Sequence, residues 1–531
     1  MESAIITAFS LKDRTLAHGR PGNADGDATS TIAARAEPDA PIPLAVDLDG
    51  TLLLTDTLFE ALGEHLRRRP LWALAQLIQL PFGIAKVKAR LASGLNLDVA
   101  SLPVNEDVLA YCREARLQGR EVWLVSAADQ SIVDGVAARF GIFDRAIGSD
   151  GTTNNKSGAK ARLLEREAPG GFEYVGDSPA DIKVWARAKA ASHVDKGEAR
   201  KRMIERMGVP VARSFVRPKA GLAAWLKAMR LHQWAKNALI FVPAILAMKI
   251  DNLPTLLTLL MAMPLLGAMA SGTYILNDIV DLAADRGHPS KRNRPFASGR
   301  IKLWQGFVAA PALIFGGLAG GFMLSPGFAA TMLSYLVVTL AYSFALKRAA
   351  LVDVMALAFL YTLRLIIGAV LAGVLLSQWL MVVSMFLFVS LSLAKRHTEV
   401  LRRVSAGERR VAHRGYRAED GTLTLGLGLA TATAVPLVLV LYIIESAWPS
   451  GLYTSPAMLW VAPVALAMWL MRVWLLSNRG ELHDDPVVFA VKDPQSLAAG
   501  AVLAASFAAA AFLPEGSLEL LNVNRLFGQT Q

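Results

Sequence analysis

The chain has 531 residues, 53% of them hydrophobic and 19% charged, with a formal net charge of +11. That length leaves room for more than one domain, and that apolar share excludes a purely water-soluble protein. The basic excess lies largely in loops between apolar runs, which argues against nucleic acid as the partner, and the lone cysteine, Cys112, excludes an intrachain disulfide and a cysteine metal cluster.

Residues 1–40 are rich in Ala, Gly, Asp and Thr without periodicity, and a disordered tail is expected. They contain no apolar core of signal-peptide length, so the N-terminus is expected in the cytoplasm. IPLAVDLDG is a short apolar strand running into Asp47-Leu48-Asp49-Gly50-Thr51. A second strand, Glu121–Val125, ends in Ser126. Lys156 and Lys160 follow in NNKSGAK, and then YVGDSPAD carries Asp177 and Asp181. Strands alternating with helices imply a parallel, Rossmann-like α/β sheet with its site at the carboxyl ends of the strands. In this order the segments resemble the four motifs of the haloacid dehalogenase-like (HAD) phosphatases, over about Pro41–Ala212. The resemblance implies Asp47 as the phosphoryl-accepting nucleophile and Asp49 as the acid that protonates the leaving oxygen and then activates water. It further implies Mg²⁺ held by Asp47, Asp49 through its backbone carbonyl, Asp177 and Asp181, with Ser126 and Lys156 on the phosphoryl oxygens. Lys160 competes with Lys156 for that role. The alternative is a HAD shell kept for binding or assembly.

The insert of about Asp56–Gln118 reads as a helical cap. Within it LWALAQLIQLPFGI, Leu71–Ile84, is apolar and interrupted by Pro81, and is shorter than the roughly 20 residues a span needs. It is either a buried cap helix pair or a surface that rests on a membrane and admits a lipid. Val194–Lys219 is basic and irregular, and suits anionic headgroups as a linker. The expected boundaries are a tail at 1–40, a HAD-like phosphatase domain at 41–212, a basic linker at 213–221, a membrane transferase domain at 222–514 and a tail at 515–531.

Nine apolar runs lie near Ala235–Met248, Leu253–Leu276, Leu303–Leu324, Phe328–Leu346, Val352–Leu375, Trp379–Leu393, Leu423–Ile444, Met458–Leu476 and Leu497–Leu513. They predict an all-α bundle of nine transmembrane helices. Lys and Arg concentrate in the loops after the second, fourth, sixth and eighth runs, which places those loops and the N-terminus in the cytoplasm. An inner-membrane protein with its HAD domain facing the cytoplasm is expected.

Where the second run ends stands NDIVDLAADRGHPSKRNRPFASGRI. If the helix continues, Asn277, Asp281 and Asp285 fall at i, i+4 and i+8 on one face. Carboxylates there are costly unless they hold something. With Lys291, Arg292, Arg294 and Arg300 beside them, they suit a polyphosphate carried on magnesium. Asn277, Asp278, Asp281, Asp285, His288, Pro289, Lys291, Arg294, Pro295, Ser298 and Gly299 match the first Asp-rich signature of the UbiA superfamily of intramembrane prenyltransferases, which the chain resembles over about Leu222–Leu513. The resemblance implies a nine-helix bundle around a lipid-accessible cavity and Mg²⁺-dependent transfer, with Asn277, Asp281 and Asp285 on the metal and Asp278 and Asp281 in catalysis.

Lys236 and Asn237 open the first span, either as snorkelling interfacial groups or as cavity lining. Tyr342 and Lys347 match the superfamily's YxxxxK segment, with Lys347 a candidate phosphate ligand. Asp353 and Arg364 lie inside an apolar run, where an ionisable group is a functional candidate or the other's structural partner. Lys395, Arg396 and Glu399 stand where aromatic prenyltransferases carry a second DxxxD. That departure, with YSFALKRAALVDV, YTLRLIIGA and GELHDDPVVFAVKDP, resembles the decaprenyl-phosphate phosphoribosyltransferase branch. Asp484, Asp485 and Asp493 read as gate residues or as a plain turn. The expected function is transfer of 5-phosphoribose from phosphoribosyl diphosphate to a polyprenyl phosphate, with Mg²⁺ in each domain. Lys291, Arg294, Lys347, Lys395 and Arg396 would balance phosphate charge, and the HAD domain would remove the 5-phosphate. The rivals are a prenyltransferase acting on an aromatic or other acceptor and a nine-span carrier or scaffold.

Overall fold

Strand β1 (Leu44–Val46) is fully buried and wholly apolar, as a strand covered on both faces should be. The computed structural model describes residues 41–79, 87, 90–91, 97–149, 155–195, 197–217, 220–405, 407, 415–482 and 486–514. Both tails, Pro81 to Ile84, Lys219, Asp484 and Asp485 lie outside the described residues. β1 is joined by β2 (Val122–Asp129), β3 (Arg145–Ser149), β4 (Glu173–Gly176), β5 (Ala190–Val194) and β6 (Val211–Phe215) in one parallel sheet of order β3-β2-β1-β4-β5-β6. Alternate residues face opposite layers. Leu44, Val46 and Leu124 pack on one side, and Ala45, Trp123 and Tyr174 on the other.

Among the described residues the α-helices between β1 and β2 include α1 (Thr57–Arg68), α2 (Pro70–Gln79) and α3 (Glu106–Leu117). Later come α4 (Gln130–Phe140), α5 (Gly158–Glu167) and α6 (Glu198–Arg206). Two sequence expectations change here. Helix α3 packs Val108, Leu109, Cys112 and Ala115 onto the sheet, so the cap is narrower than Asp56–Gln118. The basic stretch expected as an irregular linker folds into α6 and β6, and β6 crosses the boundary placed at residue 212. Its sparse apolar residues, Ile204, Val209 and Phe215, are buried and anchor it, which its charge obscures in the sequence.

Beyond Leu222 the chain is helical. Among the described residues eight helices are long and apolar enough to cross a bilayer. They contain α7 (Leu253–Val280), α8 (Leu303–Leu324), α9 (Pro326–Phe344), α10 (Val352–Ala372), α11 (Gln378–Ser405), α12 (Gly421–Tyr442), α13 (Val461–Asn478) and α14 (Pro494–Phe512). Asn252 caps α7 through Thr255 N at 3.1 Å, and Asp493 caps α14 through Ser496 N at 2.7 Å. Exposed apolar side chains such as Phe315, Phe322, Leu437 and Met468 line the outside, as a lipid-facing surface requires. The first of the nine expected runs differs. It forms a 3₁₀ helix, Leu231–Phe241, and a short α-helix, Val242–Leu246, with Ile240 and Ala244 buried against the bundle. Pro243 stands at the junction and has no N–H to donate.

The two halves pack directly. Asp56 caps α1 by accepting from Leu58 N at 3.0 Å, and Arg67 and Arg68 end it. Its apolar stripe of Ala61, Leu62 and Leu66 meets Val280 and is flanked by Leu276, Phe307 and Phe344 of the bundle. Arg286 donates to both Glu60 oxygens, at 3.0 and 2.5 Å, and the two side chains are only 7% and 5% exposed. Gly299, at φ +70°, lies under Leu54, where an added Cβ would stand 2.7 Å from the Leu54 Cβ. Removing one partner of a buried pair strands the other charge, so Arg286→Met should destabilise the protein by about 3–5 kcal/mol. The double variant Glu60→Leu/Arg286→Met should recover most of that loss. Thermal unfolding of the detergent-solubilised protein measures both, and a double variant no more stable than the single one would refute the pairing.

Candidate functional site

Two cavities hold the candidate chemistry. In the HAD half, β1 delivers Asp47 and Asp49 to the carboxyl edge of the sheet, β2 delivers Ser126, and the turn after β4 delivers Asp177 and Asp181. All five line a cavity of about 410 Å³. One oxygen each of Asp47, Asp177 and Asp181 fall within 4.8 Å of one another, a donor set that suits a hard divalent cation. Gly50, at φ +79°, is required because the Asp177 carboxylate occupies the space a Cβ would fill. Asp49 accepts from Thr57 N at 2.8 Å at the start of α1, which ties the expected acid to the cap.

Lys160, not Lys156, reaches Asp47, the expected nucleophile. Its Nζ lies 2.7 Å from Asp47 Oδ1 and 2.9 Å from Tyr174 Oη, whose hydroxyl donates to Asp181 at 2.8 Å. Lys156 is exposed and lines the same cavity. Residue spacing could not separate the two because both precede or open α5; only Lys160 points inward from it. Burial raises the Asp47 carboxyl to about 7, opposed by the Lys160 ammonium and reinforced by Asp181. Burial alone would lower Lys160, but Asp47 and Asp181 outweigh it and hold the ammonium above its ordinary value.

In the membrane half, a cavity of about 470 Å³ is lined by Asn277, Asp281, Asp285, Lys236, Lys291, Arg294, Tyr342, Lys347, Arg364, Lys395, Arg396 and Glu399, among others. Helix α7 ends at Val280, yet Asp281 N bonds Asn277 O and Asp285 N bonds Asp281 O, both at 2.9 Å. The helical register therefore carries through the break and keeps the three side chains on one wall. Lys347 Nζ sits 2.9 and 3.0 Å from the Asp281 carboxylate oxygens and 3.5 Å from Asn277 Oδ1. Asn277 and Asp281 thus already converge on one cation, which is the behaviour a magnesium site needs. Arg294 donates to Asp285 at 2.6 Å, and burial still raises that carboxyl to about 6.

The sequence model of the UbiA prenyltransferase family matches residues 238–492, and that of the haloacid dehalogenase-like hydrolases matches 44–186. The chain is 41% identical over 469 residues to the uncharacterised protein y4nM of Sinorhizobium fredii, covering 88% of this chain and 91% of that one. It is 30% identical over 285 residues to nodulation protein NoeC of Azorhizobium caulinodans, covering 52% of this chain and 90% of that one. The chain belongs to the UbiA prenyltransferase family. Its UbiA domain carries an N-terminal HAD domain, so the chain is a multi-span membrane protein with transferase and hydrolase folds. Over 188 residues it is also 36% identical to the decaprenyl-phosphate phosphoribosyltransferase of Mycobacterium tuberculosis, covering 34% of this chain and 62% of that one.

Other expected site residues of the UbiA domain divide between the cavity wall and positions behind it. Asp278 is buried and takes Arg230 and Arg294, so it braces the basic side of the cavity from behind. Asp353 and Arg364 are not each other's partners. Asp353 accepts from Arg396 Nε and from the Tyr416 hydroxyl, each at 2.7 Å, and is wholly buried. Arg364 instead donates to Asn237 Oδ1 at 3.3 Å and to the Tyr335 hydroxyl at 2.7 Å, and reaches the cavity. Lys236 lies over the Tyr361 ring. Asp493 forms a bidentate pair with Arg472 and caps α14, which makes it structural. Arg230 and Arg402 line the UbiA cavity, and Arg217 and Lys302 line the HAD cavity, without having been singled out as ligands. Arg217 was hidden in an apparent linker, and Lys302 in the other domain.

Because Lys160 is the one of the two lysines that pairs with Asp47 among the described residues, Lys160→Met should lower hydrolysis of p-nitrophenyl phosphate by about 10²-fold or more. Lys156→Ala should stay within about threefold of the unmodified protein. Steady-state kinetics on the two variants checks the assignment, and a larger loss in Lys156→Ala would reverse it.

Proposed function

We propose that the UbiA domain transfers 5-phosphoribose from phosphoribosyl diphosphate to a polyprenyl phosphate, and that the HAD domain removes the 5-phosphate from the lipid-linked product. The observation that carries this reading is the charge layout of the UbiA cavity. One wall offers Asn277, Asp281 and Asp285, while Lys291, Arg294, Lys347, Lys395 and Arg402 surround the rest. A second acidic cluster for a prenyl diphosphate is replaced by Lys395 and Arg396, and Arg396 is itself tied to Asp353 and Glu399. Such an excess of cations suits two phosphorylated substrates together. The name of the Mycobacterium tuberculosis relative points the same way.

Mg²⁺ held by Asn277, Asp281 and Asp285 would supply Lewis acidity toward the departing pyrophosphate. The chain's own residues do the rest. The cations bind and orient the phosphates, and the aromatic walls of Tyr335, Tyr342 and Tyr361 exclude water. In the transfer, the bond from ribose C1 to the pyrophosphate oxygen breaks and one from C1 to an oxygen of the polyprenyl phosphate forms. In the HAD domain Asp47 would take the phosphoryl group, Lys160 and Ser126 would hold its oxygens, and Asp49 would hand a proton to the ribose oxygen and then activate water. Mg²⁺ on Asp47, the Asp49 carbonyl, Asp177 and Asp181 would complete that site. Loop charge supports an orientation with both mouths at the cytoplasmic face of the inner membrane.

Asp281→Asn should lower phosphoribosyl transfer by about 10²-fold or more while leaving thermal stability near that of the unmodified protein. Incubation with labelled phosphoribosyl diphosphate and decaprenyl phosphate measures it. Prenylation of a small aromatic acceptor, with no phosphoribosyl lipid formed, would instead support the prenyltransferase rival. A lipid product stays in the bilayer beside a tethered phosphatase, at an effective concentration in the range of about a millimolar. Asp47→Asn should therefore preserve transfer but let the 5-phosphorylated lipid accumulate. Mass analysis of the lipids decides this, and the same phosphorylation state with either protein would remove the HAD domain from the sequence of reactions.

A further inference from the structure

The cavity around Asp47 is not built by the HAD domain alone. Lys302, Leu303 and Trp304 of the UbiA domain form part of its wall. Leu303 and Trp304 are the first two residues of α8, a membrane span, and Leu303 is buried while Trp304 is 45% exposed. Lys302 Nζ lies 3.4 Å from Asp177 Oδ2, and Arg217 lies 3.5 Å from the same oxygen. These two cations differ in freedom. Arg217 is clamped by the carbonyl of Leu54 at 2.6 Å and of Gly50 at 3.4 Å. The Lys302 side chain is 47% exposed, and among the described residues its ion pair is with Asp177 alone. Gly299, tight under Leu54, and the Arg286–Glu60 pair hold this wall in place.

We infer that the phosphatase site is a composite of both domains, in which Lys302 binds the phosphate of the substrate and Trp304 holds the lipid-proximal part of a phosphomonoester presented at the membrane surface. The chemistry of each residue supports its part. A lysine ammonium on a flexible stem is a point charge that reorients toward a phosphate dianion, which an anchored guanidinium cannot do. An indole at the first turn of a span sits at the depth where its apolar body meets acyl chain and its N–H meets water. A soluble metabolite needs no such wall. A phosphomonoester on a bilayer lipid approaches from the level of the α8 start, so the wall lies where its anchor must pass. The lipid part of this inference rests on the product proposed above; the composite wall does not.

The test uses the full chain in phosphatidylcholine vesicles, with Lys302→Ala, Lys302→Arg and Trp304→Ala. Two probes are hydrolysed: soluble p-nitrophenyl phosphate and 5-phosphoribosyl decaprenyl phosphate carried in the vesicles. Lys302→Ala should raise KM about tenfold for both probes with kcat within about threefold, and Lys302→Arg should restore most of the loss. Trp304→Ala should raise KM for the vesicle-borne lipid alone. Phosphoribosyl transfer should be unchanged in all three. Unaltered KM in Lys302→Ala, or a loss confined to kcat and accompanied by a lower melting temperature, overturns the composite site, because a residue that only joins the domains would behave so. If the unmodified protein hydrolyses p-nitrophenyl phosphate but not the lipid, the product reading fails while the Lys302 KM effect still judges the composite wall. Hydrolysis of neither probe overturns both.

Discussion

Four acidic and basic residues in sequence, Asp278, Asp281, Asp285 and Arg286, are set at the edge of an apolar bundle where each must find a counter-charge. Asp278 takes Arg230 and Arg294, Asp281 takes Lys347, Asp285 takes Arg294, and Arg286 takes Glu60 from the other domain. Desolvated charges are tolerated only in such pairs, so this short segment dictates what must surround it. It requires the basic lining of the cavity, and through Arg286 it requires the cap helix α1. The same turn that lines the candidate transfer site is thereby the docking point of the HAD domain.

That shared origin gives the two cavities a common frame. The stretch 294–304 leaves the UbiA cavity at Arg294, passes under Leu54 at Gly299 and reaches the HAD cavity at Lys302 and Trp304. A motif that lines the cavity of one domain is continuous with a wall of the other's. The cap is correspondingly unlike a free lid. Its apolar stripe is spent on Val280 and its neighbours, and Asp49 is tied to Thr57 at its first turn. Opening the cap would break both contacts.

Much of this was legible from residue order. The DxDGT strand, the GDxxxD turn, the long apolar runs and the Asp-rich signature each depend on local chemistry: a strand must be apolar, a span must be about 20 residues, and carboxylates in register share a face. The register of Asn277, Asp281 and Asp285 survives even where α7 ends, because the i to i−4 hydrogen bonds continue. Membership of the UbiA and HAD families follows from the same local patterns.

What residue order left open were choices that depend on where side chains arrive. Lys156 and Lys160 are four residues apart, and only the direction from which α5 approaches the sheet brings Lys160 to Asp47. Asp353 and Arg364 are both ionisable groups in one helix, and the packing of α11 and of Tyr416 gives Asp353 to Arg396 instead. The stretch around β6 was masked by its basic composition, since three buried apolar residues are enough to fold it. Lys302 belongs to one domain by sequence and to the other's cavity by position. Local propensity and periodicity are properties of neighbouring residues and so are written in the chain; counter-ion choice and shared cavities are set by contacts between residues as far as 226 positions apart, as with Glu60 and Arg286, and exist only once the chain has folded.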